Sequence, residues 1–287
     1  MATHGGVTHP QFQWSGTDEV DVGDVQTTLD ADGRPVHVSP AGTAEADAFA
    51  QWYKQDPINL TVVEPFTLNH VAGTADTYAF ASSLFFPLDG QGWVSETPPA
   101  GMTGTWPKEI LGEGRDAVPP ATCPAGNLAC CDPTTQTCGM HNFAFTSVVR
   151  YWFEYRGGEK LDFTGDDAVW VFLNGQMVID LGGTHGPLNG TVTLPKVATN
   201  ALTCTQASGT SPCTGKSAAD LGLALGQVYE IAVFQSERHT YGSNYRLTIS
   251  GFANTKSQCT TQCGDGFRAG DEICDHGTAN VSPGAAD

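Results

Sequence analysis

Asn174-Gly175 sits between two apolar runs, Ala168-Val-Trp-Val-Phe-Leu173 and Met177-Val-Ile-Asp-Leu181. Both central residues of a type I′ turn need positive φ, and Asn followed by Gly meets that need at low steric cost. The stretch Phe163 to Gly183 is therefore expected to fold as two strands with a tight turn, because its aromatic and β-branched content suits a sheet. Two adjacent carboxylates, Asp166 and Asp167, stand just before the first run. At the mouth of a rigid sheet such a pair is either a turn that caps strand backbone groups or a place to bind a hard cation or ligand.

Elsewhere the chain repeats short apolar segments broken by Gly, Pro and Asn. Strands are expected over 59–68, 77–87, 147–156, 191–194, 228–234 and 245–249, and a helix over 44–53, where Phe49, Trp52 and Tyr53 fall at helical spacing. In the segment 147–156, Val149, Tyr151, Phe153 and Tyr155 alternate with Arg150, Glu154 and Arg156. Trp152 interrupts the polar face, which suggests that both faces are partly covered. Asp30-Ala-Asp-Gly33 reads as a turn rather than a calcium loop, since no acidic residue closes it. Residues 90–128 are too rich in Gly and Pro for a long regular element and are expected to lie over the sheet. Many short strands and little helix predict an all-β fold, a β-sandwich with long loops and a small disulfide-rich C-terminal appendage. The expected boundaries are a flexible N-terminus over 1–11, the sandwich over 12–252, a linker over 253–258 and a truncated cysteine-rich repeat over 259–287.

The 287 residues carry a formal net charge of −18, from 13 basic and 31 acidic residues. That excludes nucleic acid as an expected partner and disfavours charge-driven attachment to an anionic membrane. No apolar run approaches the roughly 20 residues that span a bilayer, so this segment is not expected to insert. Met1 to Pro10 lacks the apolar core of an export signal, which suggests a mature or trimmed form of an exported protein.

Nine cysteines point to an oxidising compartment, and their odd number leaves one unpaired within the chain. Cys123, Cys130, Cys131 and Cys138 fall in a short loop that two bridges would staple, each of the adjacent pair joined to an outer cysteine. Zinc is the competing reading, disfavoured in an export-like context. Cys204 and Cys213 form the simplest bridge to expect. Cys259, Cys263 and Cys274 belong to the C-terminal appendage, where a repeat continuing past Asp287 would supply the missing partner.

The central stretch, together with Gly157-Gly158, Gly182-Gly-Thr-His-Gly186 and Glu237-Arg-His239, resembles the fibro-slime domain. This is a bacterial surface branch of the anthrax protective-antigen (PA-14) lectin-like fold, found also in yeast flocculins and bacterial adhesins. The resemblance extends to Phe49-Ala-Gln-Trp-Tyr53 and Phe85-Phe-Pro-Leu-Asp89 and covers about residues 12–252. Where the family usually has three central aspartates, this chain has Gly165-Asp-Asp-Ala168. The tail from Cys263 resembles the start of a cysteine-rich repeat of myxobacterial surface proteins. A similar layout occurs in the myxobacterial receptor for outer-membrane exchange, which recognises its own kind.

The resemblance implies a calcium ion held by Asp166 and Asp167 across a cis peptide that turns both carboxylates to one side. A second loop, with Asn244, Glu237 and Ser243, would complete the shell of six to eight oxygens at roughly 2.3–2.6 Å. Asp166, Asp167, His185, His239, Tyr241 and Asn244 would then face the ligand. His185 and His239 can instead serve as structural hydrogen-bonding groups, and Trp170, within a strand, reads as core rather than a sugar platform.

The leading expectation is a calcium-dependent, carbohydrate-binding adhesion domain, extracellular or on the cell surface of an outer membrane. A receptor binding an identical partner on another cell, with any metal structural, is the alternative. No catalytic residues are expected. Adjacent aspartates sharing an ion cannot act as acid and base across the roughly 5–9.5 Å of a glycosidase cleft, and no nucleophile triad, metalloprotease helix or phosphate loop is found.

Overall fold

The computed structural model describes residues 2–4, 19–54, 59–88, 145–238 and 243–252. All belong to the first of two compact units, Met1–Ala253, the second being Asn254–Asp287. In chain order the elements are β1 (Ala2–His4), β2 (Glu19–Val20), α1 (Ala44–Phe49), β3 (Asn59–Thr61), β4 (Asn69–His70), β5 (Thr77–Ser82), β6 (Phe145–Glu154) and β7 (Lys160–Gly165). There follow β8 (Ala168–Leu173), β9 (Gln176–Leu181), β10 (Gly183–Thr184), β11 (Leu188–Thr193), β12 (Thr203–Gln206), β13 (Val228–Glu237) and β14 (Tyr245–Ser250). One six-stranded sheet has the order β3-β1-β6-β13-β8-β9, a second the order β12-β11-β7-β14-β5-β4, and β10 pairs with β2. The ladders are antiparallel throughout, as an all-β sandwich requires.

The Asn174-Gly175 turn forms as expected, with φ of +49° and +73°, and joins β8 to β9. Phe163, however, belongs to the preceding strand β7 in the opposite sheet, where it pairs with Leu247 of β14. The central stretch thus contains three strands, and the chain changes sheets between Gly165 and Ala168.

Strand β8 is buried at every position. Val169, Val171 and Leu173 enter the inter-sheet core with Phe153, Phe163, Leu161 and Tyr245. Ala168, Trp170 and Phe172 point the other way, into a second cluster closed by Val25, Phe49 and Trp52. The alternation of β-strand side chains makes each face a core face, which accounts for the unbroken apolar run. The cover is a ribbon in which Val25 bridges His37, and its strand-like residue Thr28 bridges Gln176 at the edge of β9. Trp170 is 2% exposed and donates its indole N–H to Asp180 Oδ1 at 3.1 Å, so the core assignment holds.

Several expectations change. The helix is shorter, capped by the Thr43 side chain at Ala46 N–H and ending at Phe49, with turns carrying Trp52 and Tyr53 onward. Residues 59–68 form a strand only at 59–61, because the following Glu64-Pro65 pair interrupts the ladder. Trp152 is 60% exposed and Tyr151 37%, so that end of β6 is not covered on both faces. Cys204 and Cys213 form the expected disulfide with Cα atoms 6.1 Å apart. Cys123, Cys130, Cys131, Cys138, Cys259, Cys263 and Cys274, with the pairings expected for them, lie outside the described residues.

Two side chains separate buried from exposed aromatic content. Phe163→Ala is expected to cost about 3–5 kcal/mol by emptying the inter-sheet core, read as a lower urea midpoint. Trp152→Ser is expected to stay within about 0.5 kcal/mol of the parent in the same measurement.

Candidate functional site

Two residues carry the chain from β7 to β8, and both are aspartates. Among the described residues there is no cis peptide; the expected cis bond is replaced by a corner at Asp167, whose φ is +53°. Aspartate tolerates this left-handed region better than most side chains, and a cis bond without proline would cost about 3–4 kcal/mol. The corner is held by backbone and carboxylate together. Asp167 N–H donates to the His185 carbonyl at 3.0 Å, and Asp167 Oδ1 accepts from His185 N–H at 3.2 Å. Its Oδ2 accepts from Arg238 N–H at 2.5 Å.

Asp166 is anchored to the loop before β14. Its N–H donates to the Asn244 carbonyl at 3.2 Å, while its Oδ2 accepts from Asn244 N–H at 3.1 Å and Asn244 Nδ2 at 2.6 Å. Its other oxygen, Oδ1, is buried and finds no hydrogen-bond partner among the described residues. The last residue of β13, Glu237, is fully buried, and neither of its carboxylate oxygens has a hydrogen-bond partner among the described residues. Ser243 lies beside Glu237 but gives its hydroxyl proton to the Phe85 carbonyl, 2.7 Å away, and its own carbonyl accepts from Phe85 N–H at 2.9 Å. Ser243 thus serves as a loop anchor.

The structure therefore brings together Asp166, Asp167, Glu237, Ser243, Asn244 and His185. His185 is 4% exposed and each ring nitrogen faces a backbone carbonyl, Gly186 at 2.8 Å and Leu181 at 3.1 Å. Its observed role is to brace the corner. His239 and Tyr241 lie outside the described residues. Sequence reading missed the reach of Arg238, whose side chain donates to the Gly183 carbonyl at 2.8 Å and stacks 5.2 Å from the Trp52 ring centre.

The same packing explains Gly182-Gly183. A Cβ on Gly182 would meet the Asp21 carbonyl oxygen at 2.1 Å, and one on Gly183 the Glu19 carbonyl oxygen at 2.0 Å. These glycines let β2 cross next to the corner. Beside that crossing, Asp180 accepts from Gly23 N–H at 2.8 Å and Gly182 N–H at 3.2 Å.

Burial sets the electrostatics. It pushes Asp166 up to about 7, with the Asn244 hydrogen bonds pulling down and the Asp167 carboxylate pushing up. Burial, reinforced by Asp167, drives Glu237 well above the ordinary carboxylate range. Burial lowers Arg238, opposed chiefly by Asp167. Unmet carboxylate oxygens in such a place favour a bound proton or a bound cation. Among the described residues no three His, Cys, Asp or Glu side chains form a ready metal cage. A hard cation would therefore need amide or backbone oxygens beside the carboxylates.

Comparison with known families falls on this same region. Residues 151–263 match the PA14 domain. The matched stretch contains β7 to β14, the corner, and the loop anchored at Asn244. PA14 is a carbohydrate-binding, adhesion-type domain, and PA14 domains are typically extracellular. The chain is also similar to Dictyostelium discoideum proteins. It is 27% identical to Protein psiQ over 268 residues, 90% of this chain and 21% of psiQ. It is 29% identical to Protein psiD over 273 residues, 91% of this chain and 42% of psiD. With Protein psiE the identity is 35% over 195 residues, 67% of this chain and 28% of psiE. The chain thus spans less than half of each of these relatives. No solved structure matches it. Among the described residues no helix is long and apolar enough to cross a membrane.

The raised carboxylates fix a pH dependence for the chelated protein. Asp166 binds a proton more tightly folded than unfolded, so its contribution is full below its ordinary value of 3.8 and is lost as pH rises through about 7. Glu237 acts in the same direction. The melting temperature in chelator is expected to fall across that window, and Asp166→Asn is expected to flatten the fall in a pH series of melts.

Proposed function

We propose that the Asp166-Asp167 corner, Glu237 and Asn244 bind calcium, and that the ion presents a glycan at an exported cell-surface adhesion domain of the fibro-slime type. One observation carries this reading: a fully buried Glu237 with two unmet oxygens stands beside Asp167 and Asp166, which has one unmet oxygen of its own. Isolated buried carboxylates are costly unless paired or metal-bound. The carboxylates of Asp166, Asp167 and Glu237 outnumber the one guanidinium near them, that of Arg238, and an excess of negative charge suits a cation. The unmet atoms on Asp166 and Glu237 are carboxylate oxygens, which suits calcium rather than a thiolate- or imidazole-seeking metal.

The chain's own groups divide the work. Asp166 and Glu237 supply oxygens, and the Asn244 amide oxygen would join them while its Nδ2 keeps Asp166 in place. Asp167 locks the corner through His185 and Arg238, and Ser243 fixes the loop to Phe85. When bound, the ion supplies open coordination positions for sugar hydroxyls. Because Asp166 and Asp167 are consecutive residues at one corner, they cannot flank a scissile bond, which supports a binding role without catalysis. The PA14 match supports the carbohydrate class and the extracellular location.

Calcium at about 100 times its Kd is expected to stabilise the protein by about 2.7 kcal/mol, seen as a higher melting temperature. Glu237→Gln, which removes one charge at nearly constant shape, is expected to abolish that shift. A melt unchanged across the titration would sink the metal assignment.

A glycan array is expected to show calcium-dependent signals that chelator removes. Bead aggregation that occurs without calcium and ignores free sugars would instead favour contact between identical domains.

A further inference from the structure

Among the described tryptophans, Trp52 and Trp170 are each 2% exposed, whereas Trp152 is 60% exposed. Along β6, Phe153 and Tyr155 point into the inter-sheet core, so Arg150, Trp152 and Glu154 share the outer face of the sheet. Directly opposite Trp152 on β13 is Glu230. Val228, 64% exposed, is the diagonal neighbour within reach of the indole. Trp152 lies inside the stretch that matches PA14 but far from the Asp166-Asp167 corner. The β6 partner of Glu237 is Phe145, seven positions before Trp152, which separates the two places by about 23 Å at the rise of a strand.

The polar groups beside the ring are fixed and mutually neutralised. On one side Arg150 Nη1 donates to Glu230 Oε2 at 2.8 Å, its Nη2 donates to the Gly33 carbonyl, and its guanidinium lies 5.4 Å from the Phe234 ring centre. On the other side Arg156 donates to Glu154 Oε2 from Nε at 3.1 Å and from Nη2 at 2.7 Å. A guanidinium has five N–H donors and a carboxylate accepts at several positions, so both pairs keep capacity for a further partner. The exposed indole thus lies between two polar brackets on a central strand of a six-stranded sheet.

An aromatic face with hydrogen-bonding groups at its margin suits a ligand that is apolar on its face and hydroxylated at its edge. A pyranose whose substituents are all equatorial is such a ligand. Its axial C–H bonds meet the indole face, where the ring quadrupole is negative, and its hydroxyls point outward to the brackets. Each bracket is an ion pair, and the chain as a whole carries a net charge of −18, so the surface favours a neutral sugar over an acidic one. We propose that Trp152 is a stacking platform for a neutral, all-equatorial pyranose such as a β-linked glucose unit, with the sugar hydroxyls at the Arg150–Glu230 and Arg156–Glu154 pairs. The inference rests on the carbohydrate-binding class of the PA14 domain and needs no calcium.

The test is isothermal titration of the full chain with cellotetraose, in chelator and again in calcium. Saturable binding with a Kd of about 1 mM is expected in both buffers, and tetragalacturonate, an acidic sugar of the same length, is expected to bind at least about 10-fold more weakly. Trp152→Ser is expected to weaken cellotetraose at least about 10-fold, and Trp152→Phe, which keeps a smaller aromatic face, to recover part of the loss. On the unaltered chain, cellotetraose is expected to protect Trp152 from hydroxyl-radical oxidation, read by peptide mass spectrometry. No saturable binding, binding that needs calcium, equal binding of the acidic sugar, full affinity in folded Trp152→Ser, or no protection of Trp152 would each overturn the proposal. Self-association that Trp152→Ser abolishes, without sugar binding, would assign this face to a second copy and overturn it as well. Calcium-dependent array signals without cellotetraose binding would overturn the platform alone, and a melt unmoved by calcium bears on the corner alone.

Discussion

Between Gly165 at the end of β7 and Ala168 at the start of β8, the chain has two residues in which to leave one sheet and enter the other. A crossing that short works only if the corner turns sharply and its polar groups find partners at once. Asp167 supplies the turn through a left-handed φ, and its N–H and both carboxylate oxygens bind the segments that reach His185 and Arg238. Asp166 binds the segment that reaches Asn244. The corner is thus the point where the ends of β8, β13 and β14 are tied together.

That mechanical role and the proposed metal role draw on different atoms. The oxygens that hold the corner are Asp167 Oδ1 and Oδ2 and Asp166 Oδ2, and the carboxylate oxygens of the site without hydrogen-bond partners among the described residues are Asp166 Oδ1 and the pair on Glu237. On the proposed reading the scaffold would keep its shape while the remaining carboxylate atoms exchanged a proton for a cation. Burial makes this exchange consequential, since a charge withdrawn from water is stabilised chiefly by what lies next to it.

The second constraint is the two-sided burial of β8. Its even-numbered residues need a cover as much as its odd-numbered residues need the opposite sheet, and the segment from Val25 to Trp52 provides it. Arg238 links this cover to the corner by donating to Asp167 from its backbone while its guanidinium lies over Trp52.

Much of this was readable from local pattern. The Asn-Gly turn, the burial of Trp170, the Cys204–Cys213 bridge and the convergence of Asp166-Asp167 with the loop around Asn244 follow from short-range chemistry or from a family resemblance. Other features were out of reach because they depend on who lies opposite. Alternation along β6 could not reveal that Trp152 faces solvent, and an apolar run could not say that β8 has cores on both sides. Two adjacent aspartates could not show that a left-handed residue makes the turn, or that Glu237 ends beside them with its oxygens unmet. By itself the sequence determined where strands and turns can form, since φ preferences and side-chain alternation act over a few residues. Tertiary structure alone decided which strands share a sheet, which carboxylate atoms are spent on the fold and which are left, because hydrogen bonding and burial are settled by contacts between residues far apart in the chain.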